Sequence, residues 1–196
     1  MRHRFKHPFR GAECESRNAN CETYITSQLA FRLSHFILKY DYISVIHYCI
    51  TMEIEIINRG LILNISGFSG VAANKDYSCT ALVLMDKTWP VIKSKGLKHK
   101  GLNIWVYEAD EKVFAGVELE DRSIEDTGLE QKIISLKKYA YHKHIGPYRL
   151  LKQAGEDMQS ELDKIGLRAR YPFIEIYGHW TNDESKLETE ILIQVE

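Results

Sequence analysis

One carboxylate among aromatic residues offers the clearest chemistry in this chain. The segment Ile174-Glu175-Ile176-Tyr177 alternates as a strand does, so Glu175 and Tyr177 share one face and the isoleucines share the other. A carboxylate surrounded by aromatic rings attracts an organic cation, and the rings add about 0.5–2 kcal/mol of cation–π attraction. Burial would also raise the pKa of such a carboxyl group, which a general base could use. If the opposite face is the covered one, Glu175 is a solvated strand residue.

A similar segment occurs earlier in the chain. Among positions that are 70 apart, the residue types agree at Gly96 and Gly166, at Leu97 and Leu167, and at Tyr107 and Tyr177. Two similar halves can pack about a pseudo-two-fold axis and leave a ligand cleft between them. At this spacing Trp105 corresponds to Glu175, so we expect these two residues to face each other across the axis. Tyr107 and Tyr177 are then pseudo-symmetric mates, either in the pocket wall or in the core.

Other aromatic residues are further candidates for the wall of this pocket. Trp105 would be an aromatic platform, whereas the helical spacing of Met85 and Trp89 favours core packing. Trp180 follows a predicted strand and would line the mouth of the pocket or cap the sheet edge. The wall candidates that complete the set are Trp89, Phe114, Tyr148 and Trp180.

Motifs for metal, nucleotide or triad chemistry are missing from the sequence. His142 and His144 lie two apart on a predicted strand without a third ligand at helical spacing, and His7, Cys14 and Cys21 fit no common zinc spacing. No phosphate-binding glycine pattern and no Ser-His-Asp order is present. We therefore expect no metal and no cofactor.

Charge and hydropathy argue against nucleic acid and membrane partners. The 196 residues have a net charge of -1, which gives no overall positive field for direct DNA binding. The most apolar stretch, residues 36–50, is interrupted by Lys39, Asp41 and His47 and is too short to span a bilayer. The four cysteines are too sparse for a secreted disulfide framework, so we expect a cytoplasmic location.

The elements of the first half begin with a strand over residues 61–71. A helix follows, capped by Asp76 and ended by Gly96, and Pro90 in its interior is expected to kink or divide it. Residues 103–108 and 113–119 then form a hairpin.

The second half repeats this order with a strand over residues 132–144, a helix beginning at Gly146-Pro147, and a hairpin over residues 172–195. The buried stripe of this helix is predicted to consist of Tyr148, Leu151, Ala154, Met158, Leu162 and Ile165. Two strand-helix-hairpin units (β-α-β-β twice) predict an α+β fold with pseudo-two-fold symmetry, in which an antiparallel sheet has both helices on one face.

This order of elements resembles the GyrI-like small-molecule-binding domain, the effector-binding domain of bacterial multidrug-sensing transcription regulators. The residues that carry the resemblance are the segments 76–78, 103–107, 114–118, 141–148 and 174–177, above all His144-Ile145-Gly146-Pro147-Tyr148 and Glu175-Ile176-Tyr177. The resemblance implies a pocket for lipophilic, often cationic molecules, with Glu175 as the central negative charge and aromatic residues around it. It covers roughly residues 53–196.

The chain is accordingly divided into residues 1–51 and a ligand-binding domain over residues 52–196. The first segment is either an extension, disordered or loosely docked, or upstream sequence read in frame before a start at Met52. It has no helix-turn-helix signature, which favours a stand-alone form of the domain over a transcription factor. Oligomeric state is left open.

The favoured function is non-enzymatic binding of lipophilic, cationic small molecules, for sequestration or sensing of toxic compounds. The first alternative is a hydrolase of strained, cyclopropanoid-type electrophiles, with Glu175 and Tyr177 as catalytic residues. The second alternative is a protein-interaction role, such as binding to gyrase or to a regulator.

Overall fold

The computed structural model describes residues 52–121 and 127–196. The predictions made for residues 1–51 therefore lie outside the described residues. These include the predictions for His7, Cys14, Cys21 and the apolar stretch 36–50.

Within the described residues, two similar runs of elements follow a short first strand. The first run, after β1 (Glu55–Ile57), consists of β2 (Leu61–Val71), α1 (Tyr77–Lys95), β3 (His99–Tyr107) and β4 (Lys112–Leu119). The second consists of β5 (Glu130–Leu136), β6 (Tyr139–Ile145), α2 (Leu151–Lys164), β7 (Ala169–Tyr177) and β8 (Glu188–Val195). The predicted α+β fold of two strand-helix-hairpin units is confirmed.

The eight strands form one antiparallel sheet in the order β1-β6-β8-β7-β3-β4-β2-β5. The two hairpins, β3–β4 and β7–β8, meet in the middle of the sheet, where β3 pairs with β7. This central pair joins the two halves of the repeat, so any residue near the pseudo-two-fold axis must come from β3 or β7.

The two ends of the sheet are tied together by very short connections. Strand β1 lies at one end and β2 near the other, yet only residues 58–60 separate them, and only Lys137 and Lys138 separate β5 from β6. The pairing of Ile57 with Tyr139 continues as the pairing of Leu61 with Leu136. Residues 55–71 and 130–145 are thus one bent antiparallel ribbon. A chain of two or three residues spans at most about 11 Å, so the sheet must curl.

The predicted single strand over residues 132–144 is wrong at its centre. The structure has two strands there, interrupted at Lys137 and Lys138, because the ribbon bends at this point and each part pairs with a different end of the sheet. Alternation of apolar residues also stops at the bend, because Lys138 follows Leu136 by two residues and the pattern resumes out of phase at Tyr139 and Tyr141. The prediction of one continuous strand did not use this signal.

Curling gives the sheet two apolar faces. Both helices cover one face, and their buried residues, such as Leu84, Met85, Met158 and Leu162, pack with Trp105 and Tyr177 of the sheet. The inner face of the curl holds a second cluster that includes Ile65, Val106, Phe114, Leu136, Ile174 and Leu192. Helix α1 contacts β2 and β4, and α2 contacts β6, so β3 and β7 lie in the groove between the helices.

The ends of α1 agree with the sequence, but its proline does not break it. Asp76 accepts a hydrogen bond from the backbone N–H of Cys79 at 3.2 Å, and Gly96 closes the helix in the left-handed conformation. The helix continues through Pro90 undivided. Pro90 is exposed, and the packing of Leu84, Met85 and Ile92 on the sheet holds the helix on both sides of it.

The stripe predicted for α2 holds except at its end. Leu151, Ala154, Met158 and Leu162 are buried, whereas Ile165 is 56% exposed because α2 ends at Lys164. Tyr148 precedes α2 in a short 3₁₀ segment and is half-buried.

Candidate functional site

The pairing of β3 with β7 places Trp105 directly opposite Glu175. The repeat relates these two positions, which are 70 residues apart, and the ladder also pairs them. Residues that are both equivalent in the repeat and paired across the two strands lie on the pseudo-two-fold axis. The register therefore agrees with the expectation that an aromatic residue and a carboxylate face each other there.

Glu175 lies on the helix-covered face of the sheet. Alternation along β7 sends Ile174 and Ile176 to the inner face and Glu175 and Tyr177 to the other, where Trp105 also lies. The alternative of a solvated Glu175 on an uncovered face is therefore wrong. Glu175 is half-buried at the bottom of the groove between α1 and α2.

The two pseudo-symmetric tyrosines hold Glu175 between them. The hydroxyl of Tyr107 donates a hydrogen bond to Oε2 of Glu175 at 2.6 Å, and the hydroxyl of Tyr177 donates to the same oxygen at 2.6 Å. Tyr107 follows Trp105 by two residues on β3, and Tyr177 follows Glu175 by two residues on β7. Because the strands are antiparallel, the two rings reach the carboxylate from opposite sides.

Burial raises the pKa of Glu175 above the ordinary glutamate value of 4.5, although the bonds from Tyr107 and Tyr177 act in the opposite direction. Burial, together with the negative charge of Glu175, also holds the pKa of Tyr107 and of Tyr177 well above 10.0. Both tyrosines therefore stay protonated donors near neutral pH. Among residues 52–121 and 127–196, no basic side chain forms an ion pair with Glu175.

Aromatic rings surround this carboxylate on several sides. The ring centroid of Trp105 lies 4.4 Å from that of Tyr177, and Tyr148 meets Tyr177 edge-on at 5.2 Å. In the other half, Tyr77 at the start of α1 meets Tyr107 edge-on at 5.6 Å. Tyr107 and Tyr177 are thus each contacted by a tyrosine at or just before the start of the helix in the same half of the repeat.

Three aromatic residues of this region were not predicted as site residues. Phe173 shares the helix-covered face with Glu175, and Tyr171 stacks on it at 4.9 Å. Tyr77 corresponds to Tyr148 with a spacing of 71, one more than the repeat distance, so a strict 70-residue comparison misses it. Alternation along β7 places Phe173 on the same face as Glu175 and Tyr177, and this pattern could have predicted it as a site residue.

Five predicted site residues, Glu175, Tyr177, Trp105, Tyr107 and Tyr148, lie together here, and the remaining three lie elsewhere. Phe114 alternates with Ala115 along β4 and belongs to the inner-face cluster, so it cannot line the groove. Trp89 packs against His99, at the opposite end of β3 from Tyr107. Trp180 follows β7 in a loop and is 50% exposed. Phe114 is therefore a correction to the predicted pocket wall, whereas Trp89, which packs against the helix-covered cluster, and Trp180 stay predictions.

The predicted histidine pair makes backbone contacts. A ring nitrogen of His142 lies 2.9 Å from the carbonyl oxygen of Glu53, and one of His144 lies 3.4 Å from that of Pro147. The described part of the chain contains no group of three or more metal-ligating side chains. No helix in that part is long and apolar enough to cross a membrane.

Replacing Tyr107 with Phe is expected to raise the pKa of Glu175 further, because it removes one of two donors to the charged carboxylate. The side-chain carboxyl ¹³C signal of Glu175, followed against pH, measures this pKa. Tyr141→Phe is the matched control, since Tyr141 lies with the inner-face cluster. An unchanged pKa in Tyr107→Phe would contradict the hydrogen-bonding arrangement.

Comparison with known proteins agrees with this architecture. The model of the family described as GyrI-like small molecule binding domain matches residues 102–196. No curated protein sequence matches the chain.

Solved structures share the fold at low sequence identity. The EcmrR C-terminal domain is 17% identical with a TM-score of 0.58, over 74% of this chain and 96% of that one. EcmrR in its complex with DNA is 18% identical with a TM-score of 0.54, over 74% of this chain and 56% of that one. SAV2435 bound to tetraphenylphosphonium is 19% identical with a TM-score of 0.52, over 74% of this chain and 94% of that one.

Proposed function

From the match of residues 102–196 to the GyrI-like small molecule binding domain and from the surroundings of Glu175, we propose that this protein binds lipophilic organic cations between its two helices. The observation that carries the proposal is a half-buried carboxylate without a basic partner among the described residues, held by two tyrosine hydroxyls. A negative charge in such a site favours a cation strongly, because the surrounding protein screens the attraction less than water does.

The aromatic residues set the class of cation. Trp105, Tyr107, Tyr148 and Tyr177 surround the carboxylate with apolar ring atoms, which a strongly hydrated metal or ammonium ion would not use. A cation whose charge is spread over aromatic or alkyl groups loses little hydration energy on entry and gains apolar contact and cation–π attraction. Tetraphenylphosphonium, the ligand named for SAV2435, belongs to this class. Sequestration or sensing of toxic cations is the role we propose for this binding.

The test compares two ions of nearly equal shape and opposite charge. Tetraphenylphosphonium is expected to raise the melting temperature of the protein further with each increase in its concentration, since a ligand that binds only the native state stabilises it. Tetraphenylborate is expected to give no such shift. Equal stabilisation by both ions would show binding by shape alone, and no shift with either would reject the proposal.

The affinity for tetraphenylphosphonium is also expected to fall as the pH is lowered. The cation binds the ionised carboxylate, and the raised pKa of Glu175 means that protonation, and with it the loss of affinity, begins above the pH expected for an ordinary glutamate. Isothermal titration calorimetry at several pH values measures this, and proton release to a pH-indicator dye on binding gives a second readout. Binding that is constant down to pH 4.5 would contradict Glu175 as the counter-ion.

A hydrolase remains the second candidate, and the raised pKa of Glu175 is the observation that favours it. A carboxylate with a raised pKa is a stronger base for activating water, and Tyr177 would orient the substrate or the water through its hydroxyl. The distinguishing test is incubation with a cyclopropane-bearing electrophile, in which product must exceed the protein concentration. The protein-interaction alternative stays a prediction.

A further inference from the structure

Departures from the repeat make the two ends of the groove chemically different. At the Tyr107 end, the residue opposite Tyr107 on β7 is Phe173, whereas at the Tyr177 end the residue opposite Tyr177 on β3 is Asn103. Phe173 and Asn103 are themselves pseudo-symmetric mates, 70 residues apart. One end of the groove is therefore aromatic and the other carries a polar side chain at the same position.

The polar end holds buried polar atoms without hydrogen-bond partners. Among the described residues, the buried side-chain atoms in this state are Oδ1 of Asn103, Nε1 of Trp105 and Oγ1 of Thr189. All three residues lie around Tyr177: Asn103 and Thr189 are its direct neighbours on β3 and β8, and the ring of Trp105 lies 4.4 Å from its ring.

Such a cluster is unusual because a buried polar atom without a partner costs free energy, and native proteins contain few of them. Trp105 is 5% exposed and Thr189 is 1% exposed, so bulk water does not satisfy them. At the pseudo-symmetric position of Thr189 the chain has Val113, which pairs with Tyr107 as Thr189 pairs with Tyr177 and is also buried. An apolar residue therefore fits this layer of the fold, and the hydroxyl of Thr189 is not needed for packing.

We propose that this polar end is a subsite for a neutral hydrogen-bonding group of the bound cation, an inference that rests on the proposed function. The indole N–H of Trp105 requires an acceptor, and Oδ1 of Asn103 requires a donor, whereas the hydroxyl of Thr189 serves as either. A carboxamide supplies both functions in one group. An anionic group is disfavoured because Glu175 lies two residues from Tyr177 on the same face of β7.

The distance between the cation site at Glu175 and the polar subsite at Tyr177 follows from their positions on β7. Residues two apart on one face of a strand lie about 7 Å from each other, which sets the distance between the positive centre near Glu175 and the hydrogen-bonding group near Tyr177. The subsite is closed by side chains, so the ligand must displace one of them. In this proposal the side chain that moves is Tyr148, which is half-buried, lies outside the sheet and meets Tyr177 edge-on at 5.2 Å.

The test uses two phosphonium probes that differ only at this end. Benzyltriphenylphosphonium has no hydrogen-bonding group, whereas its 4-carbamoyl derivative carries a carboxamide at roughly the required distance. We expect the full-length protein to bind the carbamoyl probe roughly tenfold more tightly, the ratio that the net contribution of about one hydrogen bond gives. In Thr189→Val and in Asn103→Leu this ratio is expected to fall at least about threefold.

Thr88→Val is the matched control. Thr88 is equally buried, but its hydroxyl donates to the carbonyl oxygen of Leu84 at 2.9 Å within α1. We expect Thr88→Val to lower stability and keep the probe ratio, and Thr189→Val to keep or raise stability and lose the ratio. The result expected for Thr189→Val separates a ligand subsite from a structural role, because removing a hydroxyl with a structural role would lower the free energy of unfolding.

Two outcomes overturn the inference, and a third concerns the proposed function instead. Equal affinity of the native protein for both probes, or a ratio that survives in both Thr189→Val and Asn103→Leu, would show that the three atoms do not meet the ligand and at most hold an internal water. If neither phosphonium binds at all, the cation site itself fails, and the subsite fails with it.

Discussion

Replacing Glu175 with Gln is expected to weaken the binding of tetraphenylphosphonium by roughly 30-fold, which corresponds to about 2 kcal/mol. Removing one member of a close, desolvated charge pair costs about 2–5 kcal/mol. The lower end applies because Gln keeps the shape of the side chain and an oxygen that can accept from Tyr107 or Tyr177. The aromatic and apolar contacts of the cation remain, so binding is reduced rather than abolished.

The substitution Glu175→Gln is not expected to lower the free energy of unfolding, and the reason lies in the raised pKa of Glu175. Because burial raises the pKa of Glu175, the native protein holds this proton at a higher pH than the unfolded chain does. Between the unfolded and the folded pKa, stability therefore falls as the pH rises, and above the folded pKa the full cost of the buried charge remains. Glu175→Gln is expected to remove this dependence and to be at least as stable at pH 7.

Isothermal titration of Glu175→Gln beside Glu156→Gln separates the local effect from the change in net charge. Glu156 is exposed on α2, where its nearest ion-pair partner is Lys152 at 3.9 Å, and its replacement removes the same formal charge. We expect Glu156→Gln to change the affinity less than twofold, since exposed charges are screened at physiological salt. A Glu175→Gln protein that folds and binds as tightly as the control would remove the charge argument and favour a neutral ligand.

The sequence alone predicted the position of the axis because the repeated residues lie on β3 and β7, the two strands that pair there. Trp105, Tyr107, Glu175 and Tyr177 come from β3 and β7, and strand alternation fixes which side chains share a face. Those residues were found together. The same alternation applied to β4 would have sent Phe114 to the inner face, had the register of β3 against β4 been known.

Features that depend on long-range closure were not accessible from local patterns. The break between β5 and β6 exists because the ribbon bends to join both ends of the sheet. Lys137 and Lys138 mark an interruption in the sequence, but they do not reveal this closure. The unpartnered atoms of Asn103 and Thr189 cannot be predicted from the sequence either, since they depend on the neighbours that β3 and β8 bring to Tyr177. Distances between elements, rather than residue types, determine both.

The second large effect is expected on stability, from a substitution at the close approach of the paired strands β2 and β4. Gly67 and Gly116 are directly paired there. A Cβ atom on Gly67 would overlap the carbonyl oxygen of Ala115, and one on Gly116 would overlap that of Ser66. Both obstacles are backbone atoms of the ladder, which cannot move without loosening the pairing that holds the curl. Overpacking costs about 1–3 kcal/mol when side chains can adjust and more when they cannot.

We therefore expect Gly116→Ala to lower the free energy of unfolding by about 3 kcal/mol or more, as measured by urea denaturation. Gly155→Ala is the matched control: it lies within α2, and an added Cβ there meets no atom within 4 Å. Alanine loses less backbone entropy than glycine in a helix, so this change should stabilise the protein by about 0.5–1 kcal/mol. The same chemical change thus has opposite signs at the two positions. A Gly116→Ala protein as stable as the native one would show that β2 and β4 are not held at this close approach, and that the curl that buries Phe114 does not depend on it.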